Sequence, residues 1–202
     1  ASDSEDARKV ASKLDIPYYV LDYTESFSKN VVDNFTQMYA QGLTPNPCVE
    51  CNRSVKFDHF ITQAKKLNCD KVATGHYAKI IKKNNEFELH KADYLDKDQS
   101  YVLHMLKSSD LENISFPLGE ISKPEVRQIA ARIGLKTAFK KDSQDICFVG
   151  KKDYRSFVEK RIDLTSPGEI FDIEGNKVGD HNGIHEFTVG QRKGLPGGYG
   201  TP

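Results

Sequence analysis

The amino-acid sequence predicts an α/β protein, with a parallel sheet covered by helices and then a smaller part that is mostly β. Up to about residue 162, helical patterns and short apolar strand patterns alternate along the chain. Strand–helix alternation is typical of a parallel sheet with helices on its faces. From Pro167 on, short runs separated by turn residues replace the helical patterns. We therefore predict an α/β domain over residues 1–162 and the start of a small β domain over residues 163–202.

Three helices are predicted in the first part of the chain. Ser2 and Glu5 form a capping box in front of apolar residues at helical spacing. Thr24 can cap a second helix, which carries an apolar stripe and ends at Gly42. The third helix follows a proline-containing loop over residues 44–50.

Short strands are predicted between and after these helices. Residues 17–23 (PYYVLDY) and 71–74 (KVAT) are apolar runs of strand length. Residues 77–89 alternate around Asn84 and Asn85, which predicts a β-hairpin, because asparagine accepts the backbone conformation of a tight turn.

The later elements are predicted from the same kinds of pattern. Ser122 and Glu125 form a second capping box, and Gly134 ends the helix that begins there. A further short helix is predicted over residues 152–161. The β part is predicted to contain a strand, a turn and a second strand, at residues 169–173, 174–176 and 186–189.

Composition and charge narrow the class of protein. The 202 residues carry 29 basic and 29 acidic side chains, and this balance argues against a general nucleic-acid binder, which is usually basic. No apolar run approaches the ~20 residues that a membrane span needs, and the polar first residues are unlike a signal peptide. We therefore expect a cytoplasmic protein without a membrane partner. Four cysteines are too few for a disulfide scaffold in a chain of this length.

Two of the cysteines, Cys48 and Cys51, lie in the stretch TPNPCVECNRSVKF. A zinc site normally needs four ligands, often as two close pairs, whereas Cys69 and Cys147 are single and far apart in the sequence. A reactive thiol is the other functional interpretation. Cys51 lies where the third helix is predicted to begin, beside basic side chains, and both features favour a thiolate. The structural alternative is a small buried residue in a tight turn.

Three further places have both a functional and a structural interpretation. Cys147 has apolar neighbours, so from these residues alone a core cysteine is the simpler interpretation. Gly75 follows a short strand, at the sheet edge where α/β proteins bind nucleotides, although a glycine can also merely turn the chain. The cluster Lys97, Asp98 and Gln99 suits either a contact with RNA or a helix start capped by Asp98.

Six stretches occur in one order along the chain: TPNPCVECNRSVKF, ATGHYAKI, KDQSYVL, FPLGEISKPEVRQIA, KKDSQDICFVG and TVGQRKGL. This series resembles the tRNA-specific 2-thiouridylases of the MnmA family. The combination is specific to that family and extends over essentially the whole chain. The resemblance implies an incomplete adenine-nucleotide α-hydrolase-like (PP-loop ATPase) domain, followed by part of a small central β domain.

The resemblance also implies a reaction and its participants. The family uses ATP, with Mg²⁺, to adenylate the 2-carbonyl oxygen of the wobble uridine of certain tRNAs, and a persulfide sulfur then replaces that oxygen. The sulfur comes from a donor protein, which is a cysteine desulfurase or a relay protein. By resemblance, Cys147 carries the persulfide, whereas Cys51 attacks or resolves it and leaves a Cys51–Cys147 disulfide.

Binding residues follow from the same resemblance. Asn46, Pro47 and Cys48 match the stretch that meets the target base. Gly75 matches a glycine that contacts ATP, and residues 97–99 match a loop that contacts tRNA. Many relatives have aspartate in place of Cys48, so the acid–base role of a carboxylate is not carried over to this position.

Two family features are not found in this sequence. No glycine- and serine-rich pyrophosphate-binding loop of the SGG-x-DSS type occurs in the 202 residues, and the final β-barrel has no counterpart. We expect a piece of a longer protein that begins after that loop and is a poor catalyst by itself, because the backbone N–H groups of the loop would bind phosphate. Two alternatives stay open. One is a non-catalytic tRNA-binding remnant of the same fold, and the other is a zinc or redox protein that uses Cys48 and Cys51.

Overall fold

The computed structural model describes residues 2–140, 146–150, 153–162 and 166–196. The chain forms two compact units, each built from two stretches of sequence. The first unit contains residues 1–24 and 51–143, and the second contains residues 25–50 and 144–202. The domain boundary near residue 162 stays a prediction. Among the described residues, no helix has both the length and the apolar character that crossing a membrane requires.

Helices dominate both units. The α-helices of the described residues, α1 to α8, are Ser2–Leu14, Thr24–Phe27, Asp33–Ala40, Pro47–Glu50, Asp58–Lys66, Ser108–Leu111, Lys123–Arg132 and Tyr154–Glu159. Two wider π-helical segments, Ser28–Val32 and Cys51–Phe57, directly precede α3 and α5. Short 3₁₀ turns occupy Leu95–Lys97, Ser100–Val102, Lys136–Phe139 and Ile184–Glu186.

The first predicted helix is confirmed as α1, and the second begins at Thr24 as predicted. The cap of the second helix differs from the prediction. Asp22 Oδ1 accepts hydrogen bonds from the Thr24 backbone N–H, at 2.9 Å, and from its hydroxyl, at 2.6 Å. A carboxylate therefore satisfies the first backbone donor of the helix in place of the Thr24 hydroxyl.

The strand predicted over residues 17–23 is wrong, because this stretch has no regular secondary structure. Its apolar side chains are largely in solvent, with Tyr19 67% and Val20 72% exposed. A strand needs a neighbour for its backbone N–H and C=O groups, and no described strand pairs with this stretch. Apolar composition alone therefore misidentified the segment.

The predicted strand at residues 71–74 is confirmed as β1 (Val72–Ala73), and it lies in the parallel pair that the fold class requires. Its partner is β4 (Ile114–Ser115), which the sequence patterns did not indicate, and Val72 lies opposite Ile114. The core around this pair is apolar: Ile114 is 2% exposed and Phe57 is 1% exposed. Because the pair is parallel, both strands end at the same edge.

The predicted hairpin is confirmed as β2 (Ala78–Lys83) and β3 (Glu86–Lys91), which pair in antiparallel register. Its two-residue turn has Asn84 at φ 48° and Asn85 at φ 67°. Both values lie in the left-handed region, which asparagine tolerates better than most residues and which a tight hairpin turn of this kind requires.

In the second unit, a small aromatic core holds α3 and α8 together. Phe35, Tyr39 and Val158 are buried, and the partly buried side chains packed against them are Ile146, Phe148, Val149, Tyr154 and Phe157. The helix predicted over residues 152–161 is confirmed as α8, whose first turn is capped by Asp153.

Within residues 166–196, β5 (Gly168–Phe171) and β6 (Lys177–His181) form an antiparallel hairpin. The strand predicted at residues 186–189 is wrong. The turn at residues 174–176 brings the residues that follow it directly back against β5, so β6 forms there instead. Residues 187–189 have no strand partner among the described residues.

Candidate nucleotide and RNA site

The helix that carries Cys48 begins earlier than the sequence suggested. Asn46 Oδ1 accepts hydrogen bonds from the backbone N–H groups of Cys48, at 3.2 Å, and Val49, at 3.4 Å. Pro47 occupies the first helical position, where its missing N–H costs nothing. The expectation that Cys51 marks the helix start is therefore wrong, because the helix begins at Pro47, four residues before it, and Cys48 lies in the first turn.

Cys51 is half-buried and begins the π-helical segment Cys51–Phe57 of the first unit. The next residue, Asn52, is only 2% exposed, and its Nδ2 donates to the Val102 carbonyl over 3.2 Å. This bond ties the segment to the turn that follows residues 97–99. π-Helical turns are uncommon in proteins and are frequent at functional sites.

Cys147 belongs to the second unit and is exposed. Its neighbours Ile146 and Phe148 pack against the aromatic core, and a turn closed by the Gly150 N–H and the Ile146 carbonyl (3.2 Å) surrounds the cysteine. The interpretation of Cys147 as a core residue is therefore wrong. Cys69 is also exposed, and none of the four cysteines, all of which are described, forms a disulfide.

Gly75 lies two residues after β1, beyond the carboxyl end of the strand, and is exposed. A side chain at this position would contact only Leu118 Cδ1, at an ordinary 3.7 Å. The surrounding protein therefore does not require glycine here. The missing side chain instead leaves the backbone open to close approach by a ligand.

Gly75 and the turn of residues 97–99, which the sequence indicated separately, line one cavity of about 390 Å³ in the first unit. Side chains around it include Tyr77, Asp96, Tyr101 and Lys123. Its lining is mainly polar and holds two lysines and two aspartates, so the cavity suits a hydrated polar ligand rather than an apolar one.

Two members of the predicted Lys97–Asp98–Gln99 cluster shape the turn itself. Asp98 Oδ1 accepts the Ala92 N–H at 2.8 Å, and its Oδ2 accepts the Ser100 hydroxyl at 2.7 Å. Burial alone would raise the pKa of Asp98, but these bonds and the Ser100 N–H hold it below its ordinary value. The predicted helix start capped by Asp98 is wrong, because a 3₁₀ turn follows whose N-cap is Gln99, with no side-chain cap, and Asp98 instead joins Ala92 to Ser100.

Two hydrogen bonds join Gln99 to Tyr77, the residue before β2. Its backbone N–H donates to the Tyr77 carbonyl at 2.8 Å, and the Tyr77 N–H donates to Gln99 Oε1 at 3.0 Å. Because its side-chain oxygen is occupied, Gln99 can offer the cavity its amide nitrogen.

Sequence reasoning missed Lys123 as a site residue. It is the first residue of α7, and its Nζ lies 5.9 Å from the centre of the Tyr77 ring. The available signal was the capping box at Ser122, which puts the following lysine in the first turn of a helix. Helix N-termini favour anions, so Lys123 adds to a favourable local field.

His76 was also not assigned a role. Its ring lies 6.0 Å from the rings of Phe57 and Phe116, and its Nδ1 is hydrogen-bonded to the Thr74 hydroxyl at 2.8 Å. Burial, helped by the charge of Lys56, lowers the pKa of His76 to about 4. The ring is therefore neutral at pH 7.

A metal-based interpretation finds no support in the described part of the chain. Over these residues, no group of three or more His, Cys, Asp or Glu side chains is arranged to hold a metal ion. The zinc alternative for Cys48 and Cys51 thus lacks further ligands there.

Comparison with known proteins assigns the chain to a family. Residues 1–151 match the family model of the tRNA methyl transferase HUP domain, and residues 155–201 match that of the tRNA methyl transferase PRC-barrel domain. The first is the adenine-nucleotide α-hydrolase-like domain that the sequence predicted, and the second is the small β domain. The parallel pair agrees with that fold, and the described residues contain no closed barrel.

Curated relatives agree with both matches. The chain is 47% identical over 201 residues, or 99% of its length, to "tRNA-specific 2-thiouridylase MnmA" of Rickettsia peacockii. It is 48% identical to proteins of the same name from Chloroflexus aurantiacus and Rickettsia prowazekii, over 97% and 99% of its length. The chain spans 55–56% of the length of these relatives. On these matches, the chain belongs to the MnmA family of tRNA-specific 2-thiouridylases.

Proposed function

We propose that the full-length gene product replaces the C2 oxygen of the wobble uridine of tRNA with sulfur, using ATP and a cysteine persulfide. The observation that carries this proposal is the shared cavity of Gly75 and residues 97–99. By resemblance, Gly75 contacts ATP and residues 97–99 contact tRNA. A reaction that transfers the adenylyl group of ATP to an RNA base needs both ligands at the same site. The names of the curated relatives support the same reaction.

The chemistry requires an activated oxygen, because hydroxide is a poor leaving group from a uracil carbon. ATP supplies an adenylyl group to O2 of the uridine and releases pyrophosphate. The terminal sulfur of a Cys147 persulfide then attacks C2, forming a C–S bond, and AMP leaves with the oxygen. The Cys51 thiolate then attacks Cys147 Sγ and breaks the bond between Cys147 Sγ and the sulfur attached to C2. The electron pair of that broken bond stays on the departing sulfur, which becomes the sulfur of the thiocarbonyl.

The product on the protein is a Cys51–Cys147 disulfide, so each turnover needs a thiol reductant and a fresh persulfide from a sulfur-donor protein. The exposure of Cys147 suits this role, because a donor protein must reach the thiol. Half-buried Cys51, in a π-helical segment, suits a thiol that acts inside the site.

The target base is proposed to contact Asn46, Pro47 and Cys48. RNA-modifying enzymes reach the base by turning it out of the stack, and a stiff wall suits such a pocket. Pro47 fixes the backbone angle φ at this position. The side-chain oxygen of Asn46, Oδ1, is occupied because it caps the helix. We therefore assign contact with the base to the Asn46 amide nitrogen and to the Cys48 side chain.

We propose that the described residues contact one side of an ATP molecule. Gly75 leaves open backbone at the carboxyl edge of the sheet, and Lys97 and Lys123 supply positive charge in the adjoining cavity. Bound there, ATP would supply the adenylyl group and Mg²⁺ would offset phosphate charge. A pyrophosphate-binding loop of the SGG-x-DSS type does not occur in the 202 residues. We therefore propose that these residues alone turn over poorly.

The experiment is a nucleoside analysis of tRNA by mass spectrometry after incubation with the full-length gene product, ATP and a sulfide source. We expect 2-thiouridine at the wobble position only when ATP is present. Tight tRNA binding with no 2-thiouridine under any sulfur source would overturn the proposal in favour of a non-catalytic tRNA-binding protein. A parallel reaction with the 202-residue chain tests its activity, and turnover at the full-length rate would refute the expected dependence on a phosphate loop.

A further inference from the structure

The stretch TVGQRKG, residues 188–194, has no role in the proposed reaction, and we call it the basic loop. It lies in the second unit, where polar contacts hold its first residues. The Val189 N–H donates to Thr44 Oγ1 at 3.0 Å. The Thr188 hydroxyl donates to the Tyr154 hydroxyl at 3.1 Å and lies 3.3 Å from that of Tyr39. The loop is therefore fastened to two helices and to the beginning of the proline-containing stretch.

Further hydrogen bonds fix the shape of the basic loop from within. Gln191 Oε1 accepts the Thr188 N–H at 3.1 Å, and Gln191 Nε2 donates to the Lys193 carbonyl at 2.8 Å. The chain reverses at Gly190, whose φ of +83° only glycine adopts without strain. The loop is thus preorganised by its own side chains, so a ligand would not have to order it.

Two adjacent cations remain on its outer side. Arg192 and Lys193 are exposed, and neither forms an ion pair with a described residue. A guanidinium offers a fork of N–H donors that matches phosphate oxygens, and an ammonium adds a point charge. A rigid loop that presents two uncompensated cations is suited to a fixed anionic partner.

The bond between Val189 and Thr44 joins the basic loop to a segment that already has a proposed role. Thr44 precedes Asn46 by two residues, and Asn46, Pro47 and Cys48 form the proposed contact with the target base. All of these residues belong to the second unit. An RNA whose base reaches Asn46 carries its own backbone phosphates past the same surface.

We propose that Arg192 and Lys193 bind a backbone phosphate of the tRNA next to its target base. This inference rests on the proposed function, because it takes tRNA as the ligand and residues 46–48 as the contact with the base. The contact is electrostatic and independent of RNA sequence, so it positions the RNA without selecting it.

The test uses the double variant Arg192→Gln/Lys193→Gln of the full-length gene product. The matched control is Lys29→Gln/Lys160→Gln, which removes the same charge from two exposed positions of the second unit. Binding of unmodified tRNA is measured by fluorescence anisotropy from 50 to 200 mM salt. We expect the test variant to bind about tenfold more weakly, with a salt slope smaller by about 1 to 2, and the control to change less than about twofold.

A second ligand locates the contact and separates the two proposals. A short hairpin RNA that contains only the anticodon stem and loop should lose affinity by the same factor. Equal binding by the test and control variants, with 2-thiouridine formation intact in the wild type, would overturn this inference alone. A loss confined to whole tRNA would also overturn it, because the phosphate would then lie elsewhere. If the wild type binds no tRNA, both this inference and the proposed function fail.

Discussion

Replacing Asp98 with alanine should loosen the turn between Ala92 and Ser100 before any RNA is bound. Asp98 Oδ1 holds the Ala92 N–H at 2.8 Å, and Oδ2 holds the Ser100 hydroxyl at 2.7 Å. A hydrogen bond to a charged group contributes roughly 1.5–3 kcal/mol to stability in a buried site. Because solvent screens this partly exposed carboxylate, we assign about 1 kcal/mol to each bond. Asp98→Ala should therefore destabilise the turn by about 2 kcal/mol, or roughly 30-fold in its opening equilibrium.

Amide hydrogen exchange, followed by mass spectrometry on a peptide that contains residues 91–100, measures that opening directly. The matched control is Asp96→Ala, which removes the same charge from an exposed residue of the same cavity. Exchange at Ala92 should accelerate about 30-fold in Asp98→Ala and stay near the wild-type rate in the control. Equal exchange in the two variants, together with a selective loss of tRNA binding in Asp98→Ala, would refute the reasoning, since Asp98 would then contact RNA directly.

The other predictions concern Asn46, His76 and Lys123. Asn46→Ala should lower the free energy of unfolding by about 1 kcal/mol in urea titrations, whereas Asn46→Asp, which keeps a capping oxygen, should lose much less. Because burial lowers the pKa of His76 to about 4, its contribution to stability should be complete above pH 6.5 and be lost as the pH falls toward 4. His76→Gln should flatten that part of the stability–pH curve, and an unchanged curve would contradict the assignment. Lys123→Gln should weaken the binding of tRNA or ATP several-fold, whereas the control Lys136→Gln, at an exposed position, should not. Equal affinities of the two variants for both ligands would show that Lys123 is not part of the site.

Local signals in the sequence were sufficient where neighbouring residues determine the structure. The hairpin followed from Asn84 and Asn85, and α7 from its capping box at Ser122, because turns and caps depend on a few adjacent side chains. The strand at residues 71–74 was predicted, but its partner β4 was not, since two residues carry no periodicity. Residues 17–23 were predicted as a strand but have no partner among the described strands. A local sequence pattern does not indicate whether a distant partner strand is available.

At the candidate site, sequence identified the residue types better than their roles. Gly75 and residues 97–99 were singled out from different motifs, and only the fold brings them to one cavity. Asp98 was predicted to cap a helix, but it joins Ala92 to Ser100 in front of a 3₁₀ turn, and its bond to Ala92 was not apparent from the residues beside it. Lys123 was missed, since a lysine in a first helical turn is ordinary until a cavity lies beside it. The exposure of Cys147 was not predicted from the sequence, because its apolar neighbours Ile146 and Phe148 suggested burial. Those neighbours pack against the core, whereas the cysteine is exposed.

The thiols of Cys51 and Cys147 are proposed to cooperate in passing one sulfur atom to a uridine. The most direct measurement is a single turnover of the persulfide-loaded full-length gene product with ATP and tRNA, without reductant. Peptide mass spectrometry then identifies the disulfide, and nucleoside analysis counts the 2-thiouridine. We predict one Cys51–Cys147 disulfide for each 2-thiouridine formed, and no 2-thiouridine from Cys147→Ser. A disulfide between other cysteines, or full thiolation by Cys147→Ser, would contradict the account.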